Sequence, residues 1–240
     1  MKKVFVKTKN VKKLITLMSN LQNRSSGVPG MGLIYGEPGL GKTQAINWWA
    51  FKNDAVVVRC TQRMTHKWLL DEIISGLDEE PRPITSKAFN RIVSSLNMNP
   101  RTIIIDEIDY LSIDNQIVET LRDINDRTDT IIVMVGMAEA NSRLKRFKHL
   151  YDRISEVVKF EMFSKEDVAE IVKELSEIEF TDCAIKYICS KTRRFRQIVK
   201  ILNKGELIAK SNGLTTVDET MLKETINYET EDFEVSKKND

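Results

Sequence analysis

Histidine and cysteine, the ligands typical of zinc sites, are scarce in this 240-residue sequence. There are two histidines, His66 and His149, far apart in the chain, and three cysteines, Cys60, Cys183 and Cys189, without a CxxC pair. No zinc-ligand spacing arises from such a set, and an odd number of isolated cysteines fits reduced thiols better than a disulfide framework. Long hydrophobic runs are missing too. The apolar stretches are strand-sized, too short for a membrane-spanning helix. The basic opening, MKKVFVKTKNVKKL, lacks the apolar core and cleavage site of a secretion signal. Net charge of either sign is small, at +2 from 37 basic and 35 acidic side chains, so polyanion binding by bulk charge is not expected. Glycine is scarce as well. Three of only ten glycines, Gly36, Gly39 and Gly41, nevertheless fall within six residues of one another, directly before Lys42 and Thr43.

The length suits one large domain or a domain with a small appendage. Short apolar, β-branched runs at 31–36, 55–60, 102–107, 130–136 and 157–163 lack a polar–apolar alternation and are bounded by polar residues, which predicts strands covered on both faces. Helical patterns separate them, two of these following the second run. The alternation predicts an α/β core with a parallel sheet and right-handed crossovers. After Phe163 the pattern becomes helical. Four helices are expected there, with Ser164 and Asp167 close to a capping box, Thr181 and Thr216 near helix starts, and Gly213 near a stop. The expected organisation is a core over 1–163 with a basic N-terminal segment, a helical lid over 164–228, and an acidic, disordered tail over 229–240. Trp48, Trp49 and Trp68 lie at helical spacing and are expected in the core.

Gly36 to Thr43 reads GEPGLGKT and matches GxxxxGK[ST] without a mismatch, between a predicted strand and a predicted helix. Glycines let the backbone curl so that several N–H groups converge, and the helix that follows aims its positive end at the same point. The expected phosphate cradle is Gly36, Glu37, Pro38, Gly39, Leu40, Gly41, Lys42, Thr43 and Gln44. Lys42 supplies a point charge for the β- and γ-phosphates of ATP, and the Thr43 hydroxyl can ligate Mg²⁺. A second signal is TIIIDEIDYL, in which an apolar run ends in Asp106 and Glu107 at a strand's C-terminal end, the end that faces ligands in open α/β sheets. Asp106 can hold Mg²⁺, and Glu107 can activate an attacking water. The acid pair favours ATP hydrolysis over transfer to a small metabolite.

With these residues in place the chain resembles the AAA+ ATPases from about residue 12 to 226. The resemblance implies a P-loop NTPase core with a five-stranded parallel sheet in the order 5-1-4-3-2 and a C-terminal helical lid. It also implies a polar sensor residue at the end of the fourth strand, where VMVGMAEA has Gly136 or Met137 instead, and that departure suggests slow hydrolysis. An arginine acting on a neighbouring subunit's nucleotide is expected before the fifth strand, where Arg153 is the first choice and Arg146 the second. A lid arginine is expected at the start of the third lid helix, at Arg196, with Arg193 and Arg194 close by. Within AAA+ proteins, the segments LIYGEPGLGKT, VVRCTQRMTHKWLLDEI, IIIDEIDYL, IIVMVGMAEA and RRFRQIVKIL are similar to the transposition ATPases of the Mu phage B-protein and TnsC type. That resemblance implies an ATPase stimulated by DNA and by oligomerisation. It would form homo-oligomers or helical filaments on double-stranded DNA and recruit and activate a transposase. It would do so in the cytoplasm of a bacterium or of a phage-infected host, with no membrane involved.

The residues expected to touch DNA are Arg59, Arg63 and Lys67 after the second strand, and Lys87 farther on, beside Arg82, Thr85 and Ser86. Cations and hydroxyls of this kind contact phosphates without reading bases. Two other functions fit the same motifs: an AAA+ helicase loader or replication initiator, and a nucleotide-gated switch that binds a protein partner. A small-molecule kinase accounts for Lys42 but not for Asp106 and Glu107. The acidic residues Glu229, Glu231, Asp232 and Glu234 are a candidate docking segment for a basic partner.

Overall fold

A computed structural model describes residues 1–110 and 115–224, which divide into two compact units. One unit spans Asn10–Glu161, and the other combines Met1–Lys9 with the chain from Met162 onward. The first nine residues therefore group with the helical part of the chain rather than with the sheet. No described helix is long and apolar enough to cross a membrane.

The larger unit is built on five parallel strands: β1 (Met31–Tyr35), β2 (Val56–Arg59), β3 (Ile103–Asp106), β4 (Ile132–Gly136) and β5 (Ile154–Lys159). Their order is 2-3-4-1-5, the expected 5-1-4-3-2 read from the other edge. The helices are α1 (Lys9–Gln22), α2 (Lys42–Asn53), α3 (His66–Gly76), α4 (Thr85–Met98), α5 (Asn115–Thr128), α6 (Ala140–Leu144) and α7 (Lys148–Tyr151). The three central strands are almost wholly buried, because apolar side chains on both of their faces meet covering elements. The edge strands behave otherwise. β2 alternates buried and exposed, and β5 alternates half-buried and exposed, so burial on both faces is confined to the middle of the sheet. β5 also lies earlier than the apolar run at 157–163 predicts. It ends at Lys159, and Phe163 belongs to the core of the helical unit instead.

Register decides where chemistry can happen. Arg59 pairs with Asp106, Asp106 with Val135, and Tyr35 with Gly136. The C-terminal ends of β2, β3, β4 and β1 are thus level, and the loops leaving them share one edge of the sheet.

The smaller unit contains α8 (Lys165–Leu175), α9 (Asp182–Lys191), α10 (Phe195–Ser211) and helical residues from 219 to 224. Ser164 caps α8 through a full capping box with Asp167, as the sequence predicts, and Thr181 caps α9. Thr216 does not start a helix. With Val217 it forms β7 (Thr216–Val217), which pairs in parallel with β6 (Glu179–Phe180). Val6 joins this unit's core, and the Lys2 N–H donates to the Leu175 carbonyl at 2.8 Å, so the N-terminal segment is tied down here. The acidic stretch at 229–234 lies outside the described residues.

Candidate functional site

The turn from β1 to α2 supplies the first half of the site. Gly36 sits against the chain after β5: a Cβ there would meet the Phe160 carbonyl oxygen at 2.5 Å, so only glycine lets the loop leave the sheet. Leu40 is buried and pins the loop to the core. Gly41 caps α2 in the left-handed region, at φ 86°, with no side-chain hydrogen bond to the helix. Gly41 itself places no side chain over the leading N–H groups of α2, an arrangement suited to an anion. The Lys42 ammonium reaches back across the loop and donates to the carbonyls of Gly36 at 2.6 Å and Glu37 at 2.9 Å. Its charge is thereby held at the mouth of the turn. Gln44 is exposed on the first turn of α2.

The second half comes from the end of β3. The Thr43 hydroxyl donates to Asp106 Oδ2 at 2.8 Å, joining the two sequence motifs directly. Asp106 is only 3% exposed, and burial pushes its carboxyl pKa up against the opposing pull of the Thr43 hydroxyl and the Glu107 N–H. Glu107 follows in a left-handed conformation, at φ 59°, and its N–H donates to Asp106 Oδ1 at 3.0 Å. The Arg59 guanidinium at the end of β2 donates to Glu107 Oε1 at 2.6 Å. This carboxylate, with Asp106 near it, raises the Arg59 pKa. Next to Arg59, the buried Cys60 thiol is pushed up to about 12 by desolvation and by the carboxylates of Asp106 and Glu107.

Arg59, expected on DNA, is thus turned toward Glu107. The signal for this lay in the strand order, since β2 neighbours β3 and Arg59 is in register with Asp106. Asp109 was also missed. It is 8% exposed, in the 3-10 turn (Ile108–Tyr110) after Glu107, and its Oδ2 accepts the Met137 N–H at 2.6 Å. The Met137 side chain is 40% exposed.

Other expected residues lie elsewhere. Arg153 precedes β5 at the opposite end of the sheet from Asp106 and is bound by Asp126 of α5, at 2.8 and 3.3 Å. Arg63 is exposed in the turn before α3, Lys67 is paired with Asp71 within α3, and Lys87 is exposed on α4. Arg196 is exposed on the first turn of α10, in the helical unit. Of the three tryptophans only Trp49 is fully in the core. Trp48 is half-buried under Lys52, and Trp68 is 41% exposed with its indole N–H on Glu72. Helical spacing alone did not separate the buried face from the open one.

What the site can do chemically follows from these parts. A loop of converging N–H groups with a lysine can hold a polyphosphate. A hydroxyl and a carboxylate side by side are hard oxygen donors of the kind Mg²⁺ takes. A glutamate beside them can serve as a base.

Comparison with known proteins bears on this geometry. A family model described as an AAA domain matches residues 25–144, half of the chain. A "Potential ATP-binding protein" of Staphylococcus aureus is 32% identical over 125 residues, covering 48% of this chain and 45% of that protein. The chain thus spans about half the length of that relative. Among solved structures, the Aeropyrum pernix ORC2 protein, in ADPNP-ADP complexes, superposes with a TM-score of 0.70 at 14% identity, over 95% of this chain and 69% of that one. The Drosophila ORC bound to DNA gives 0.66 at 16% identity, over 93% and 62%. The Aeropyrum pernix ORC1 protein in complex with DNA gives 0.60 at 15%, over 91% and 64%. Likeness at such identities concerns the fold.

Proposed function

The chain belongs to the AAA domain family, and from that premise we propose that it binds ATP at the Gly36–Thr43 loop, hydrolyses it, and uses the cycle to assemble on double-stranded DNA. The observation that carries the reading is the 2.8 Å hydrogen bond between Thr43 and Asp106, which unites the phosphate loop with the acidic strand end. In this reading Lys42 and the N–H groups at the start of α2 bind the phosphates. Thr43 and Asp106 would hold Mg²⁺, which supplies neutralising charge to the phosphate oxygens. Glu107 orients a water and accepts its proton. Arg153 of a neighbouring copy would add charge at the nucleotide in the assembled state, and Arg196 is the candidate for the lid arginine that the resemblance implies.

The DNA part rests on exposed cations at Arg63 and Lys87, on the likeness to folds solved with DNA, and on the sequence similarity to transposition ATPases. The finer reading is a regulator of transposition. It coats DNA without strong sequence preference, as oligomers or filaments, marks a target and recruits a transposase. Likeness to ORC and Cdc6 folds favours a second reading, a replication initiator or helicase loader. One experiment separates them. ATP turnover and electron microscopy are recorded with random-sequence duplex, with single strands and without DNA, using Lys42→Ala and Glu107→Gln as controls. Duplex-stimulated turnover and ATP-dependent filaments, lost in Lys42→Ala, support the transposition reading. Stimulation by single strands alone favours the loader, and no DNA response at low salt removes both.

A further inference from the structure

The turn that presents Glu107 is tied to the neighbouring strand by a residue outside the catalytic pair. Glu107 has a left-handed backbone, which an L-residue holds only when its surroundings impose it. On its N-terminal side the imposing contact is Asp106, whose Oδ1 takes the Glu107 N–H. On its C-terminal side the chain enters the 3-10 turn, closed by the Tyr110 N–H on the Glu107 carbonyl at 3.1 Å. That turn carries Asp109, buried, with Oδ2 on the Met137 N–H just past β4. The space is shaped for this contact: a Cβ on Gly136 would lie 2.8 Å from Asp109 Oδ2 and 3.0 Å from Ile108 Cγ2. A charge-assisted hydrogen bond shielded from water is among the stronger single contacts a turn can have.

We propose that Asp109 is a positioning residue for Glu107, clamping the strained turn onto the end of β4. This rests on the hydrolytic reading above. The end of β4 then contributes to the site through the backbone N–H of Met137 and not through a side chain. A polar side chain at 137 is unnecessary to hold the two strand ends together, because the bridge is built from the β3 side.

The test compares Asp109→Asn, Asp109→Ala and Met137→Ala in three measurements: nucleotide affinity, single-turnover hydrolysis, and amide hydrogen exchange over 103–140. Asn is nearly isosteric and can still accept from Met137 N–H without the charge, so it keeps the experiment interpretable where Ala fails to fold. For Asp109→Ala, affinity within about threefold of wild type and hydrolysis roughly 10- to 100-fold slower are expected, the size of effect that small misplacement of a catalytic group produces. Asp109→Asn should fall between. Met137→Ala should leave both near wild type. Faster exchange at the Met137 and Tyr110 amides should accompany the slow variants. Normal turnover in a folded Asp109 variant overturns the inference, as does a loss of affinity that parallels the loss of rate. A wild-type protein that turns over no ATP, and is matched in this by Glu107→Gln, overturns instead the hydrolytic reading on which it rests.

Discussion

Glu107 is held by Arg59 through a single guanidinium–carboxylate contact at 2.6 Å, and that contact occupies Oε1, one of the two oxygens that could take a proton from water. Arg59 is itself 65% exposed, so the pair is screened and easily exchanged. Arg59→Ala should leave ATP affinity unchanged and raise DNA-free turnover by roughly three- to tenfold, as the Glu107 oxygen held by Arg59 is released to a water. Steady-state phosphate release checks this, and an unchanged or lower rate would show that Arg59 supports Glu107 rather than restraining it. Cys60 gives a second prediction. Its folded-state pKa lies above the ordinary 9.0, at about 12, so the folded protein keeps a proton that the unfolded chain loses. The sign follows: this contribution to stability is complete below about pH 9 and is lost as pH rises toward 12. Denaturant unfolding between about pH 8 and pH 11 should show Cys60→Ala with a shallower alkaline decline than wild type. Alkylation near neutral pH should label the exposed Cys183 and spare Cys60.

The elements differ in how plainly the sequence announces them, and burial explains why. β3 and β4 are covered on both faces, so each reads as an unbroken apolar run ending at the loop-bearing edge of the sheet. The run at 157–163 serves two cores in succession, the end of the sheet and then, at Phe163, the helical unit. Hydrophobicity cannot mark where one stops. β6 and β7 have two residues each, too few for any period to show. The phosphate loop and the acid pair were legible because both lie within short stretches of contiguous sequence. Arg59 and Asp109 were not, because each acts across the sheet on a neighbouring strand's end. α2 is the instructive helix. Its apolar residues are not confined to one face, with Ala45, Ile46, Trp49 and Ala50 buried and Phe51 92% exposed. Trp49→Ala should therefore cost about 3–5 kcal/mol, as for other large aromatics removed from cores. Phe51→Ala should change stability by less than about 0.5 kcal/mol. Thermal unfolding of the two variants side by side tests the assignment of faces, which sequence periodicity did not provide.

At the scale of the whole molecule, the near balance of charge decides what kind of DNA binding is physically available. A net charge of +2 over 240 residues gives no long-range field strong enough to hold a duplex, so affinity must come from a few local cations. Arg63 and Lys87 are exposed, whereas Lys67 already has Asp71 and Arg59 already has Glu107. A cation engaged with a carboxylate must exchange that partner for a phosphate and gains less by doing so. Each phosphate neutralised lowers the slope of log affinity against log salt by roughly 0.9. The double variant Arg63→Ala, Lys87→Ala should therefore flatten that slope by about two and weaken binding similarly on all duplex sequences. Lys67→Ala alone should flatten it by less than one full contact. Titrations with random and AT-rich duplexes over a range of salt measure both quantities. If the slope is unchanged in the double variant, the contacts lie on other surfaces. Loss of affinity on one sequence only would mean base readout, which exposed cations of this kind do not provide.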